Sequence, residues 1–238
     1  MARQPAGRKS HDLRPLVIRT GVNRYAEGSA IIEMGNTHVL CTASVEESVP
    51  DWMKGKGRGW ITGEYAMLPR STHTRTRRDR EKVSGRTQEI QRLIGRALRG
   101  MVALDLLGER TIFVDCDVLQ ADAGTRTAAI NGGCVAVALA IQKLVNAGKS
   151  KAGAFSQLVS AVSIGLAGND ILVDLDYQED SSCHVDMNFV MTEKGEFIEI
   201  QGTAEKGSFS ADQMSAMVEA ARGATQTIAT FQRKAISG

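Results

Sequence analysis

The sequence predicts an α+β fold in which strands and helices come in two successive groups. Three observations carry this reading. Short runs rich in β-branched residues and bounded by Gly, Asn and Asp recur through the first third. Two segments with helical apolar spacing occupy the middle, and a cluster of strands followed by one more amphipathic helix closes the chain. At 238 residues and 42% hydrophobic content there is enough apolar material for one compact domain with two closely packed halves, about 1–147 and about 154–238.

In order, residues 15–19, 29–34 and 39–44 read as strands, the last two joined by a turn at Gly35-Asn36-Thr37. Residues 51–59, with Lys54, Gly55, Lys56, Gly57 and Arg58, are too polar and glycine-rich to pack and read as a mobile loop. Residues 68–80 belong on the surface for the same reason. Ser84 is a helix N-cap, and Ile90, Leu93, Ile94, Ala97, Leu98, Met101 and Val102 follow at helical spacing. Arg92, Arg96 and Arg99 gather on the opposite face of that helix as a basic ridge. Residues 111–119 read as a strand, and Ala121 to Arg126 lead into a helix over 127–144 that is apolar on nearly every side, hence central and buried. Past a linker at 147–153, strands at 158–166, 171–177, 184–191 and 197–201 alternate with turns. Ser210 and Gln213 form a capping box for the final helix, whose apolar face carries Met214, Met217, Val218, Ala221, Ile228 and Phe231.

The net charge of +2 conceals an uneven distribution. Between Arg70 and Arg99 stand Arg75, Arg77, Arg78, Arg80, Lys82, Arg86, Arg92 and Arg96, against only Asp79, Glu81 and Glu89, a local footprint for a polyanion. Cys41, Cys116, Cys134 and Cys183 lie far apart, without a CxxC pair or a histidine at ligand spacing, which argues for buried reduced thiols over a disulfide framework or zinc site. The polar N-terminus lacks a signal-like segment, and no apolar run approaches the roughly 18 residues of a membrane span, so no membrane partner and a cytoplasmic location are expected.

Two constellations could carry chemistry. Gly124-Thr125-Arg126 stands where a turn gives way to a helix, so unpaired N–H groups, a hydroxyl and a forked cation converge on an anion. No Walker lysine follows, and a plain N-cap with a solvated arginine is the simpler alternative. Arg86, near the apolar edge of the earlier helix, needs a partner or a functional cavity. The second constellation is acidic: Asp174, Asp176, Glu179, Asp180 and Asp186 read as two adjacent strands and their turn, an oxygen-rich setting for Mg²⁺ or simply a solvent-facing edge. His184 reads as an ordinary surface histidine.

Longer motifs carry a resemblance. They are Arg8 with Arg14-Pro15, Gly28-Ser29-Ala30, Val39 to Ser44, Gly59 to Thr62 with Glu64-Tyr65, and Met67 to Thr72. Gly85-Arg86-Thr87, Glu89 to Ile94, Asp115 to Asp122, Gly124 to Thr127, Glu179-Asp180-Ser181, Val185 to Asn188 and Ile200 to Glu205 complete the set. With these in order, the chain resembles the bacterial ribonuclease PH family along essentially its whole length.

The resemblance implies a single ribonuclease PH-type domain, a ribosomal-protein-like βαβα sandwich with mixed sheets and central helices. It implies a tRNA nucleotidyltransferase, in which inorganic phosphate attacks the terminal 3′ phosphodiester of precursor tRNA and other RNA and releases nucleoside diphosphates reversibly. Arg86, Gly124, Thr125 and Arg126 would hold phosphate, with both arginines catalytic. Asp180 and Asp186 would be the catalytic acidic pair holding Mg²⁺, or alternatively Mn²⁺. Arg70, Arg75, Arg77 and Arg78, with Arg92, Arg96 and Arg99, would grip RNA, and the assembly would be a homohexamer, a trimer of dimers. Asn188 departs from related polynucleotide phosphorylases, which carry an acidic residue there. Two other readings compete: a non-catalytic RNA-binding subunit of an exosome-like ring, and a small-molecule kinase, for which the longer phosphate loop is missing.

Overall fold

A computed structural model describes Arg3 and residues 7–78 and 83–238. The first half is a five-stranded sheet in the order β1-β2-β3-β5-β4, from β1 (Leu16–Thr20), β2 (Gly28–Met34), β3 (Thr37–Glu46), β4 (Trp60–Met67) and β5 (Thr111–Gln120). Its pairings are antiparallel except β4 with β5, which are parallel and connected through α1 (Gly85–Arg99) and the short α2 (Leu104–Leu107). The second half is an antiparallel sheet, order β7-β6-β8-β9, from β6 (Val159–Ala167), β7 (Asp170–Val173), β8 (Val185–Thr192) and β9 (Phe197–Ala204). The α+β class and mixed sheets are as the sequence implies.

The central helix α3 (Thr125–Asn146) packs on β2, β3 and β5 and against β6, so it joins the halves. It is long and apolar enough to span a membrane, but 78% of its apolar window is buried inside the fold. Gly28 lets it lie this close, since a Cβ there would meet the Ala136 carbonyl oxygen at 2.0 Å. Asn131 of α3 pairs its side-chain amide with both the N–H and the C=O of Ala161, at 2.7 and 2.8 Å, satisfying backbone groups of β6 that β7 is too short to reach. Gln232 of α5 (Ala211–Ser237) adds a bond to the Val159 carbonyl, fastening the last helix to the same strand.

Ser84 caps α1 through the Thr87 N–H, and Ile90, Leu93, Ile94 and Leu98, each at most 2% exposed, face β4 and α3. Each such side chain contributes about 1.5–3 kcal/mol through burial. Ser210 and Gln213 form the capping box of α5 in both directions.

Several boundaries differ from the sequence reading. Residues 60–67, left without an element, are β4, parallel and half covered by α1. The 51–59 segment is largely exposed, as read, but it is not wholly unpacked: it contains a 3-10 turn over Asp51–Met53, Met53 is buried, and Trp52 packs edge-on against Trp60 at 4.9 Å. Hydrophobic anchors outweigh the local glycines there. The strand read at 171–177 stops at Val173, because Asp174 takes a left-handed backbone (φ 56°) and Asp176 then caps a helix, α4 (Tyr177–Ser182). All four cysteines are free and buried, and burial pushes the Cys134 thiol up to about 12 and the Cys183 thiol to about 11, so neither is poised to react at neutral pH.

Candidate active site

The start of α3 is shaped by the turn before it. Thr37 holds that turn from both sides, its hydroxyl donating to the Ala123 carbonyl at 2.6 Å and accepting the Asp122 N–H at 2.9 Å. Ala123 and Gly124 are both left-handed, φ 56° and 63°. Among the described residues no side chain caps the helix, so its first N–H groups and the positive end of its dipole can meet an anion. Gly124 is required twice over, by its φ and because a Cβ there would stand 2.9 Å from Nη2 of Arg14. The Thr125 hydroxyl lies 2.8 Å from that of Tyr65, at the far end of β4.

Arg126 leans from the first turn of α3 toward the second sheet, donating to Gln201 at 3.2 Å and Glu89 at 3.3 Å. These bonds are at the long end of the normal range and leave the guanidinium exchangeable. Arg86 stands exposed in the first turn of α1, and its charge acts on Tyr65, Asp180 and Asp186, as that of Arg126 does.

The acidic constellation separates into spent and unspent members. Asp174 accepts from the backbone N–H and the guanidinium of Arg14 at 2.8 and 2.7 Å. Asp176 and Glu179 form the capping box of α4, and Glu179 also receives Arg3 at 2.6 Å and Arg8 at 2.7 Å. These three carboxylates are structural, and they do not share adjacent strands with Asp186 as the sequence reading had it, since β6 runs between β7 and β8. Asp180 and Asp186 remain. In the β8/β9 register Asp186 stands opposite Thr203 and Asn188 opposite Gln201, so both share the sheet face from which Gln201 meets Arg126.

Burial, then the charge of Asp180, pushes the Asp186 carboxyl up to about 6, while Arg126 and Arg86 pull it back. Asp180 is also raised, by burial first, against the pull of Arg86, Arg126 and Arg14. Oδ1 of Asp186 is buried and has no hydrogen-bond partner among the described residues. An orphaned carboxylate oxygen beside a second raised carboxyl fits a hard divalent cation that takes its remaining ligands from water and phosphate. Among the described residues no group of three or more His, Cys, Asp and Glu gathers at metal-binding distance, so these two would be its protein ligands.

Profiles of the 3′ exoribonuclease family match the chain twice, domain 1 over residues 12–141 and domain 2 over 157–224. The chain belongs to the ribonuclease PH family. The fold of this family is seen in solved relatives of low identity. Rice (Oryza sativa) Rrp46 superposes with a TM-score of 0.77 at 19% identity, over 97% of this chain and 98% of its own. A chain of the Archaeoglobus fulgidus exosome with RNA bound to the active site gives 0.76 at 18% identity, over 93% and 89%. A chain of an archaeal exosome core gives 0.73 at 18%, over 95% and 90%.

The arginines read as RNA contacts on this ribonuclease PH fold do not form one set. Arg70, Arg75, Arg77 and Arg78 are exposed on the loop after β4, while Arg80 and Lys82 lie outside the described residues. Arg92 and Arg96 are exposed and line a groove of about 310 Å³ with Gln201, although Arg96 pairs with Glu199 at 2.5 Å. Arg99 is already engaged: its guanidinium sits 4.3 Å from the Trp60 ring centre and donates to the Ile61 carbonyl at 2.9 Å. The opposite-face placement holds on a helical wheel, but β4 covers that end of the helix. His184 is exposed, its Nδ1 accepting the Gly168 N–H, in keeping with its plain reading.

The sequence reading assigned no role to Tyr65, Glu89, Gln201 or Glu205, which surround this site. Tyr65 and Gln201 stood within quoted motifs, yet only the tertiary arrangement connects them to Thr125 and Arg126.

Proposed function

We propose that this protein is a phosphate-dependent 3′→5′ exoribonuclease that trims precursor tRNA and other RNA, releasing nucleoside diphosphates reversibly. The observation that carries the reading is the convergence of unlike charges: Arg86 and Arg126 act on the same two half-buried, raised carboxyls, beside a helix start that no described side chain caps. A dianionic hydrogen phosphate nucleophile and an anionic phosphodiester need both signs of charge within one pocket.

In this mechanism orthophosphate binds between Arg86 and Arg126, its oxygens accepting from the guanidinium forks, the N–H groups at the start of α3 and the Thr125 hydroxyl. Arg126 exchanges its long bonds to Gln201 and Glu89 for phosphate. One phosphate oxygen attacks the last phosphorus of the RNA, a P–O bond forms, and the bond to the 3′ oxygen of the preceding nucleotide breaks. That oxygen takes the electron pair and the proton released by the attacking hydrogen phosphate, becoming the hydroxyl of the new RNA end, and the terminal nucleotide departs as a diphosphate. Asp180 and Asp186 would hold Mg²⁺, or Mn²⁺, which when bound supplies neutralisation of charge on the transferring phosphoryl group. No activated side-chain nucleophile is needed, because holding the reactants in line does much of the work.

The exposed arginines at 70, 75, 77 and 78 would bind the RNA backbone, with Arg92 and Arg96 secondary. A cytoplasmic homohexamer completes the proposal, on the strength of the family alone. The deciding experiment is incubation of the protein with a 3′-extended tRNA and Mg²⁺, with and without phosphate. Release of nucleoside diphosphates only when phosphate is present supports the reading. Release of monophosphates replaces phosphorolysis by hydrolysis, and tRNA binding without release favours a non-catalytic ring subunit.

A further inference from the structure

Tyr65 reaches the candidate active site from a strand of the core, and the reaction outlined above gives it no part. It stands opposite Cys116 in the parallel register of β4 with β5. Ile61, Gly63 and Tyr65 alternate along the buried face of β4, which α1 covers. Gly63 keeps that packing close, since a Cβ there would meet Cγ2 of Ile94 at 2.7 Å. The Tyr65 ring is thereby held at 5% exposure, and its hydroxyl reaches one polar neighbour among the described residues, the hydroxyl of Thr125 at 2.8 Å.

Which of the two hydroxyls donates follows from the partners at hand. With Tyr65 buried and no other acceptor among the described residues, its proton is satisfied only by donation to Thr125. Burial raises the Tyr65 pKa against the pull of the Thr125 hydroxyl, Arg86 and Arg126, so the proton stays in place at neutral pH. The Thr125 proton then has no acceptor among the described residues. It belongs to the first residue of α3, beside the helix N–H groups and next in sequence to Arg126. A hydroxyl that accepts one hydrogen bond is the stronger donor of the next. An acceptor-rich anion is the ligand that this proton and those N–H groups suit together.

We propose that Tyr65 is a positioning residue for orthophosphate: by donating to Thr125, it holds the Thr125 hydroxyl with its proton turned toward an anion at the start of α3. The proposal rests on the phosphorolytic reading for its ligand. It gives β4 a share in aiming the nucleophile, through a bond that joins residues 60 apart in the chain.

Equilibrium binding of orthophosphate to the full-length protein, together with steady-state phosphorolysis of a short oligoribonucleotide, tests the assignment. Tyr65→Phe keeps the buried ring and removes only the donor. It is expected to raise Kd and KM for phosphate by about fivefold, the worth of one neutral hydrogen bond, while KM for the oligonucleotide stays within about twofold. Thr125→Ala should raise the phosphate Kd by about tenfold, and adding Tyr65→Phe to it should change that Kd by less than about twofold, because both act through one proton. Thr125→Ser, which keeps a hydroxyl, should restore the sensitivity to Tyr65→Phe. Effects that multiply independently in the double variant, or phosphate constants unchanged in Tyr65→Phe, would reduce the bond to an anchor between strand and helix and overturn the assignment, with the reaction left standing. A wild type that shows the coupling in phosphate binding yet releases no nucleoside diphosphates would keep the assignment and remove the reaction.

Discussion

The guanidinium of Arg14 lies 2.7 Å from the carboxylate of Asp174, which is 160 residues further along the chain, and both side chains are buried. The same guanidinium donates to the Asp122 carbonyl at 2.5 Å, so one ion pair ties the turn before α3 to the approach to α4. Removing one partner leaves a buried charge uncompensated, at a cost of about 3–5 kcal/mol. Asp174→Asn, which tolerates the left-handed backbone, should lower stability by that order in a denaturant titration. A change below about 0.5 kcal/mol would show that the pair adds nothing net.

Gly124→Ala should abolish phosphate-dependent activity more completely than it destabilises the fold. A left-handed backbone costs a non-glycine residue about 1–2 kcal/mol, and the added carbon pushes on Arg14 beside the helix start. Kinetics against phosphate concentration check this: the variant should no longer saturate.

Arg86→Ala, Arg126→Ala, Asp180→Asn and Asp186→Asn should each slow phosphorolysis by about 10²–10³-fold, the usual effect of removing one group that stabilises a transition state. Binding of tRNA, measured at equilibrium, should change little. A variant that loses tRNA affinity in parallel with rate has been given the wrong role.

In metal-free protein, stability should carry the signature of Asp186. Its carboxyl, pushed up to about 6 mainly by burial and then by Asp180, favours the fold in its protonated form. That contribution is full below its unfolded pKa of about 4 and is lost as pH rises through about 6. Compared with Asp186→Asn, the wild type should match the variant near pH 4 and fall behind it between roughly pH 5 and 7, with Mg²⁺ closing the gap. Denaturation midpoints across that range test the sign, and a constant offset contradicts it.

Replacing Arg75, Arg77 and Arg78 together should weaken tRNA binding and reduce the slope of log K against log salt by about one for each phosphate that is no longer neutralised. Attack on a short oligonucleotide should persist. A salt slope equal to that of the wild type would remove this loop from the RNA path.

How far the sequence is readable follows from the range of each signal. The strand runs at 29–34, 39–44 and 184–191, the helical stripe from Ile90 and the Ser210–Gln213 capping box are local patterns, and each folds within a few residues of its reading. The strand at 60–67 is hidden in the sequence because Gly63 interrupts its apolar side between Ile61 and Tyr65, and α1 packs over that side. Among the site residues, the helix start at Gly124 to Arg126 is local too, so its position is legible in the chain, whereas its spacing alone leaves a plain N-cap and an anion site both open.

The α+β class, the central apolar helix and the family are written in the chain alone, since they depend on residue periodicity and on motifs in order. Which charges are free is settled by three-dimensional packing. Asp174, Asp176 and Glu179 are indistinguishable from Asp180 along the chain, but arginines about 160 residues away or more, or a cap within α4, occupy them. Arg99 resembles Arg92 until Trp60 folds over it. Pairing between distant charges is set by the packing of whole sheets and helices, and no local pattern encodes it.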